Sequence, residues 1–210
     1  MENLRLLLAK HGFSFKKQFG QNFLSDANLL RAIVADAGAD AESCVLEIGC
    51  GAGTLTRAIA QTAKRVIAYE IDEKLRPVLA ETLADVPNAE VRFQDFLKAD
   101  LSAVEAELPP YIVIANLPYY ITTPLLMKFV EGSKKALRLV VMVQDDVAKR
   151  LCAQAGTPEY GAITAAVARR ASAAIVRNVP RNLFVPVPNV DSAVVRLDFE
   201  EGRIPVKSEK

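Results

Sequence analysis

The five residues Cys44-Val45-Leu46-Glu47-Ile48 run without interruption into Gly49-Cys50-Gly51-Ala52-Gly53, and a helical apolar pattern from Leu55 through Ala63 follows at once. A short apolar run bounded by glycines reads as a buried strand, and the spacing after it reads as a helix. Glycines at such a turn let the backbone approach a ligand closely, at the helix end where N–H groups point outward. A strand leading straight into a helix places the chain among the alternating α/β folds. A dinucleotide-binding turn would need its third glycine at position 54, where this chain has Thr54, so nicotinamide and flavin binding are disfavoured.

The same alternation continues along the chain. A helix is expected from about Asp26, and strands near residues 43–48, 66–70, 90–94, 111–115 and 137–143, with helices between them. Ala173–Val179 and Ser192–Phe199 read as two further strands, an antiparallel pair at one edge. The expected fold is a doubly wound, mostly parallel seven-stranded sheet of the Rossmann-like kind with a terminal antiparallel hairpin. With 210 residues of which 51% are hydrophobic, one domain over residues 1–200 is expected to hold a sizeable core, with 201–210 as a frayed tail.

Four strand ends carry groups of chemical interest, and open α/β sheets bind ligands at the carboxyl ends of their strands. The glycine turn ends the first. Glu70 ends the second, where a ribose hydroxyl pair would need an acceptor. Asp95 follows the third and is suited to accept from an adenine amino group, and Asn116 ends the fourth. Together they describe an S-adenosylmethionine site.

Asn116 opens the tetrapeptide Asn116-Leu117-Pro118-Tyr119, which names a chemistry. The lone pair of an adenine amine is delocalised into the ring, so an enzyme that alkylates it must hold both N–H hydrogens with acceptors and favour a pyramidal nitrogen. The Asn116 side-chain oxygen and the Leu117 carbonyl suit that task, and Pro118, without an N–H and with fixed φ, suits a turn that presents carbonyls. Tyr119 can stack on the base, a contact of roughly 1–3 kcal/mol that any base would satisfy, so selection must come from the edge contacts. Taken alone, the tetrapeptide serves equally as a plain strand-to-helix turn with a buried tyrosine. His11 is the single histidine and lies near the N-terminus, which argues against a histidine-centred hydrolase.

Cys44, Cys50 and Cys152 have neither metal-ligand spacing nor an even count and read as reduced thiols of a cytoplasmic protein, with Cys50 a small filler in the glycine turn rather than a reactive group. No apolar run approaches the ~20 residues that span a bilayer, and Leu4 to Ala9, preceded by Glu2, makes a poor signal peptide. The net charge is only +1, but it is unevenly spread. Residues 149–181 carry Lys149, Arg150, Arg169, Arg170, Arg177 and Arg181 against Glu159, whereas residues 70–107 hold ten acids against four bases. A basic flank beside an acidic half suits phosphate binding on one side of the molecule, and an ordinary solvated face remains the alternative.

Four stretches together resemble the KsgA-type rRNA adenine N6-dimethyltransferases, within the wider class that includes the macrolide-resistance rRNA methyltransferases. They are Lys17-Gln18-Phe19-Gly20-Gln21-Asn22-Phe23-Leu24, Glu47 to Gly53, Asn116 to Tyr119, and Phe184-Val185-Pro186-Val187-Pro188 continuing to Val195. The resemblance implies transfer of methyl groups from S-adenosylmethionine to two adjacent adenosines of small-subunit rRNA, by a monomeric cytoplasmic enzyme with no metal and no membrane partner. It implies that residues 1–25 form a lid whose Asn22 and Leu24 contact the cofactor. Gly49 and Gly51 would lie under the methionine moiety, Glu70 and Ile71 at the ribose, and Asp95 at the adenine. Asn116 would sit where cofactor and target amine meet, and Phe184 opposite Tyr119 would complete a sandwich around the target base. Lys16, Lys17, Lys149 and Arg150 are the expected RNA contacts.

Three departures accompany the resemblance. Family members commonly continue into a small helical domain, expected to be absent here. Asp145 in Gln144-Asp145-Asp146-Val147 stands where the family commonly has Lys, and Tyr120 stands where Asn is common. Methylation of large-subunit rRNA with macrolide resistance, and a non-catalytic RNA-binding assembly factor, are the alternatives.

Overall fold

The structure is a computed structural model and describes residues 4–13 and 22–200, with the backbone alone at Tyr119; Lys16, Lys17 and the expected tail lie outside the described residues. Its strands are β1 (Phe23–Leu24), β2 (Cys44–Ile48), β3 (Arg65–Glu70), β4 (Ala89–Phe93), β5 (Tyr111–Asn116), β6 (Ala136–Gln144), β7 (Ala171–Val179), β8 (Phe184–Val185) and β9 (Ser192–Phe199). Its helices are α1 (Leu4–Lys10), α2 (Ala27–Asp36), α3 (Thr54–Ala60), α4 (Arg76–Thr82), α5 (Leu101–Ala106), α6 (Thr122–Gly132), α7 (Asp145–Leu151) and α8 (Ala162–Ala168).

Seven strands form one sheet in the order β4-β3-β2-β5-β6-β9-β7. The first five are parallel, with Val45 opposite Val66 on one side and Ile112 on the other. β9 lies between β6 and β7 and runs antiparallel to both, so the expected antiparallel pair is present with β7 as the outer strand. The chain order turns back between β2 and β5: β3 and β4 extend the sheet one way, β5 and β6 the other. That reversal opens a crevice at the carboxyl ends of the two central strands.

All five residues of β2 are buried, as expected for a central parallel strand covered on both faces. Side chains alternate across the strand. Leu46 and Ile48 join one core with Phe129 of α6 and Val141 of β6, and Val45 joins a second with Ile33 of α2 and Ile59 of α3. Two local signals set the flanking helices. Asp26 caps α2 by accepting the Leu29 N–H at 2.7 Å, as its place before the apolar run predicts. The helix expected to reach Ala63 ends at Ala60, and the Asn88 side-chain amide donates to the carbonyls of both Ala60 and Ala63 at 2.9 Å. β1 and β8, each two residues long, form a separate antiparallel ribbon that pairs Phe23 with Val185 and Leu24 with Phe184.

Candidate active site

The crevice contains one cavity of about 1260 Å³ out to its open mouth. Asn22, Leu24, Gly49, Gly51, Glu70, Ile71, Asp95, Asn116, Leu117, Pro118 and Phe184 all line it, brought together from positions as far apart as 22 and 184. Lys149 and Arg150 are outside that wall, exposed on α7, where the Lys149 ammonium pairs with Asp145 at 2.6 Å. The acid found where the family commonly has Lys thus neutralises a neighbouring cation.

The floor is the turn after β2. Gly49, Gly51 and Gly53 all have positive φ, at 76°, 57° and 80°, a conformation that strains any residue with a Cβ. At Gly51 space is limiting as well, since a Cβ there would sit 2.6 Å from the Phe23 ring. The Gly51 N–H donates to Glu70 Oε2 at 2.8 Å, and the N–H groups of Ile71 and Asp72 donate to Oε1 at 2.9 and 2.8 Å. Three backbone donors hold the carboxylate of the second strand against the turn of the first and leave acceptor capacity for a ligand hydroxyl. Burial nonetheless outweighs those bonds and raises the Glu70 pKa.

Glu47 lies beneath the same turn, only 1% exposed, and neither carboxyl oxygen has a hydrogen-bond partner among the described residues. Desolvation pushes its pKa up to about 8, eased by the neighbouring Thr56 hydroxyl, although that hydroxyl also has no partner within bonding geometry, and reinforced by the charge of Glu70. Burial and then the two glutamates push the buried Cys50 thiol well above its usual range, which makes it an inert filler. On the far side Asp95 Oδ1 caps the following turn by accepting the Leu97 N–H at 3.0 Å.

Asn116 ends β5 beside the glycine turn; a Cβ on Gly49 would stand 3.5 Å from its backbone carbonyl. Its side-chain Nδ2 donates to the Asn22 carbonyl at 3.0 Å, which fixes the carboxamide and leaves the oxygen as the end available to a donor. Pro118 has extended geometry, φ −56° and ψ 133°, and its carbonyl accepts the Ile121 N–H at 3.1 Å as the chain turns toward α6. Phe184, 2% exposed, packs against the core shared by Leu24 and Val194 while it also faces the cavity.

Several cavity residues, among them Glu47, Thr54, Leu97 and Tyr120, are not marked as site groups by the motifs. Thr54 was read only as a missing glycine, yet its hydroxyl donates to the Leu24 carbonyl at 2.8 Å. Tyr120, 59% exposed, and Leu97 also line the cavity. Tyr120 had a signal, an aromatic directly after the tetrapeptide; Leu97 had none beyond its place two residues after Asp95.

The likenesses of this chain agree with that geometry. A "Ribosomal RNA small subunit methyltransferase A" of Geobacillus thermodenitrificans is 50% identical over 195 residues, which cover 91% of this chain and 67% of that protein. The chain thus spans about two thirds of the length of such relatives. A dimethyladenosine transferase structure from Plasmodium falciparum is similar with a TM-score of 0.77 at 31% identity, covering 86% of this chain and 64% of that one. The 23S rRNA methyltransferase ErmE gives 0.73 at 33%, covering 86% and 70%. The family model described as ribosomal RNA adenine dimethylase matches residues 12–210, nearly the whole chain. With a strand-end carboxamide, two held carboxylates and a glycine turn in one cavity, the chain belongs to the ribosomal RNA adenine dimethylase family.

Proposed function

We propose that this chain transfers methyl groups from S-adenosylmethionine to the N6 amine of two adjacent adenosines in small-subunit (16S) rRNA, giving dimethyladenosine late in ribosome assembly. The observation that carries the reading is the Asn116 carboxamide, anchored through its nitrogen at the end of β5 with its oxygen available above the glycine turn. The cavity fits the methyl donor by its chemistry. Glu47, Glu70 and Asp95 all face it, a set of acceptors suited to a cationic ligand rich in N–H and O–H groups and unsuited to a phosphate-bearing one. When bound, S-adenosylmethionine supplies a methyl group made electrophilic by its sulfonium charge.

The chain's own residues have three tasks. Gly49, Gly51, Glu70, Ile71 and Asp95 hold the cofactor, and residues 22–24 cover it. The Asn116 oxygen and the Leu117 carbonyl accept the amino hydrogens of the target adenine, which turns the nitrogen lone pair out of the ring plane and toward the cavity floor. Tyr119 and Phe184 hold the base. Once the nitrogen has gained its methyl it is cationic and strongly acidic, so it releases a proton to water and no dedicated base is required. Catalysis is positioning and polar stabilisation. A base taken from a duplex must first be flipped out, at a cost of a few kcal/mol.

In the same reading the enzyme is a monomer and works in the cytoplasm, the latter supported by its three unpaired cysteines. No helix among the described residues is long and apolar enough to cross a membrane. Lys16, Lys17, Lys149 and Arg150 are the proposed phosphate contacts. The test is methyl transfer from labelled S-adenosylmethionine to unmethylated small subunits, beside naked rRNA, followed by nucleoside analysis. Dimethyladenosine from the small-subunit substrate is the expected product; label appearing only in large-subunit rRNA, or cofactor binding without any transfer, would overturn the reading.

A further inference from the structure

Residues 22–24 form part of the cavity wall and are gripped from three sides. Asn116 Nδ2 holds the Asn22 carbonyl at 3.0 Å, the Phe23 ring covers Gly51, and Leu24 pairs with Phe184 across the β1–β8 ribbon. This short segment therefore touches the proposed catalytic carboxamide, the cofactor turn and the proposed base-holding aromatic at once. A two-stranded ribbon of two residues each is far too short to hold its own geometry. Something outside it must fix its register.

We propose that Thr54 is that positioning residue: its hydroxyl fixes the Leu24 carbonyl and, through residues 22–24, sets the Asn116 carboxamide and Phe184 for transfer. Thr54 is the first residue of α3, 6% exposed, so its place is set by the helix and by the glycine turn before it. Its hydroxyl donates to the Leu24 carbonyl at 2.8 Å. Asn116, at the end of a central strand, supplies the second fixed point. The segment is thus pinned at one end to α3 and at the other to β5, and a lateral shift at Leu24 would move the Phe184 pairing and the Asn22 carbonyl together. The third glycine of a dinucleotide turn would have no side chain to make this bond, so the residue that excludes one cofactor also serves the site for another.

The kinetic arm of the test rests on the proposed methyltransferase function; the exchange arm does not. Thr54→Val keeps the shape and removes the donor, taking the side-chain hydrogen bond from the Leu24 carbonyl, whereas Thr54→Ser keeps the donor. With saturating S-adenosylmethionine, the valine variant is expected to lower kcat roughly tenfold or more, equivalent to about 1.4 kcal/mol, and the serine variant to return to within about threefold of wild type. Hydrogen exchange of the protein without substrate should quicken in peptides covering 22–25 and 183–187 for valine alone, with β2 and β5 unchanged. A valine variant that turns over and exchanges within twofold of wild type, a serine variant that falls as far as valine, or faster exchange in β2 and β5 as well, would each overturn the proposal. If wild type transfers no methyl at all, the functional reading fails while the exchange comparison still decides the role of Thr54.

Discussion

Glu47 gives the sharpest quantitative test, because its carboxyl is buried with no hydrogen-bond partner among the described residues. Its ordinary pKa of 4.5 is raised to about 8 in the folded chain, with desolvation the largest cause. A folded-state pKa above the unfolded one means that the native state binds the proton more tightly, so stability is full below about pH 4.5 and is lost progressively as the pH rises through 8. One pKa unit corresponds to 1.36 kcal/mol, so the folded state loses about 3 kcal/mol by pH 7 and about 5 kcal/mol by pH 9 to this one group. Glu47→Gln has the shape of the protonated acid and no charge to lose. The variant should therefore be more stable than wild type by about 3 kcal/mol at pH 7 and about 5 at pH 9, with the gap closing to less than about 1 at pH 5.

The assay is urea unfolding of both proteins without cofactor at pH 5, 7 and 9 and constant ionic strength. Glu70 also has a raised pKa and contributes its own slope, but it is present in both proteins, so the difference between them isolates Glu47 together with its repulsion from Glu70. Curves that stay parallel from pH 5 to 9 would refute the reasoning, since they would mean that the carboxyl is ionised and satisfied in the folded chain. A variant less stable than wild type at every pH would refute it equally.

Three further outcomes follow from the site. Asn116→Ala should abolish transfer while cofactor affinity, read by calorimetry, stays within tenfold, or about 1.4 kcal/mol; equal loss of both would make Asn116 chiefly structural. Gly51→Ala must place a Cβ at φ 57° and 2.6 Å from the Phe23 ring, so cofactor affinity should drop at least tenfold while α2 and β6 keep their hydrogen-exchange protection. Asp145→Ala releases Lys149 from its 2.6 Å pair on the surface, so the melting temperature should hold steady while binding to small-subunit rRNA tightens and its salt dependence steepens by about one unit of log–log slope; an unchanged slope would remove Lys149 from the RNA contacts.

The parts of this structure that were legible in the sequence share a physical cause. β5 is buried on both faces and reads as an unbroken apolar run, β2 as one interrupted only at Glu47, and Glu70 and Asn116 stand out because each ends an apolar run, whereas Asp95 follows the half-buried, mixed strand β4 and is marked only by its place just beyond a strand end. β1 and β8 were not legible, because two residues carry no periodicity and the pairing joins positions about 160 residues apart. The end of α3 is set back from Ala63 to Ala60, where the partner of the Ala60 carbonyl is Asn88, 28 residues further along the chain. The hydroxyl of Thr54 and the missing partner of Glu47 are likewise properties of neighbours in space.

Glu47 and Thr54 show opposite solutions to the burial of a polar group within one turn. Thr54 finds a backbone carbonyl and fixes a segment with it. Glu47 finds no hydrogen-bond partner among the described residues and sits in the wall of a cavity, close to a second carboxyl that disfavours its charge. A fold selected only for stability would place an apolar side chain there, since local conflicts of this kind persist chiefly where function requires them. A cation brought into the cavity reverses the conflict: it favours the ionised carboxyl, and the desolvation that destabilises the empty protein becomes attraction to the ligand. Stability lost to Glu47 in the absence of ligand is then the source of part of the affinity, and Glu47→Gln should gain stability and lose affinity for S-adenosylmethionine together.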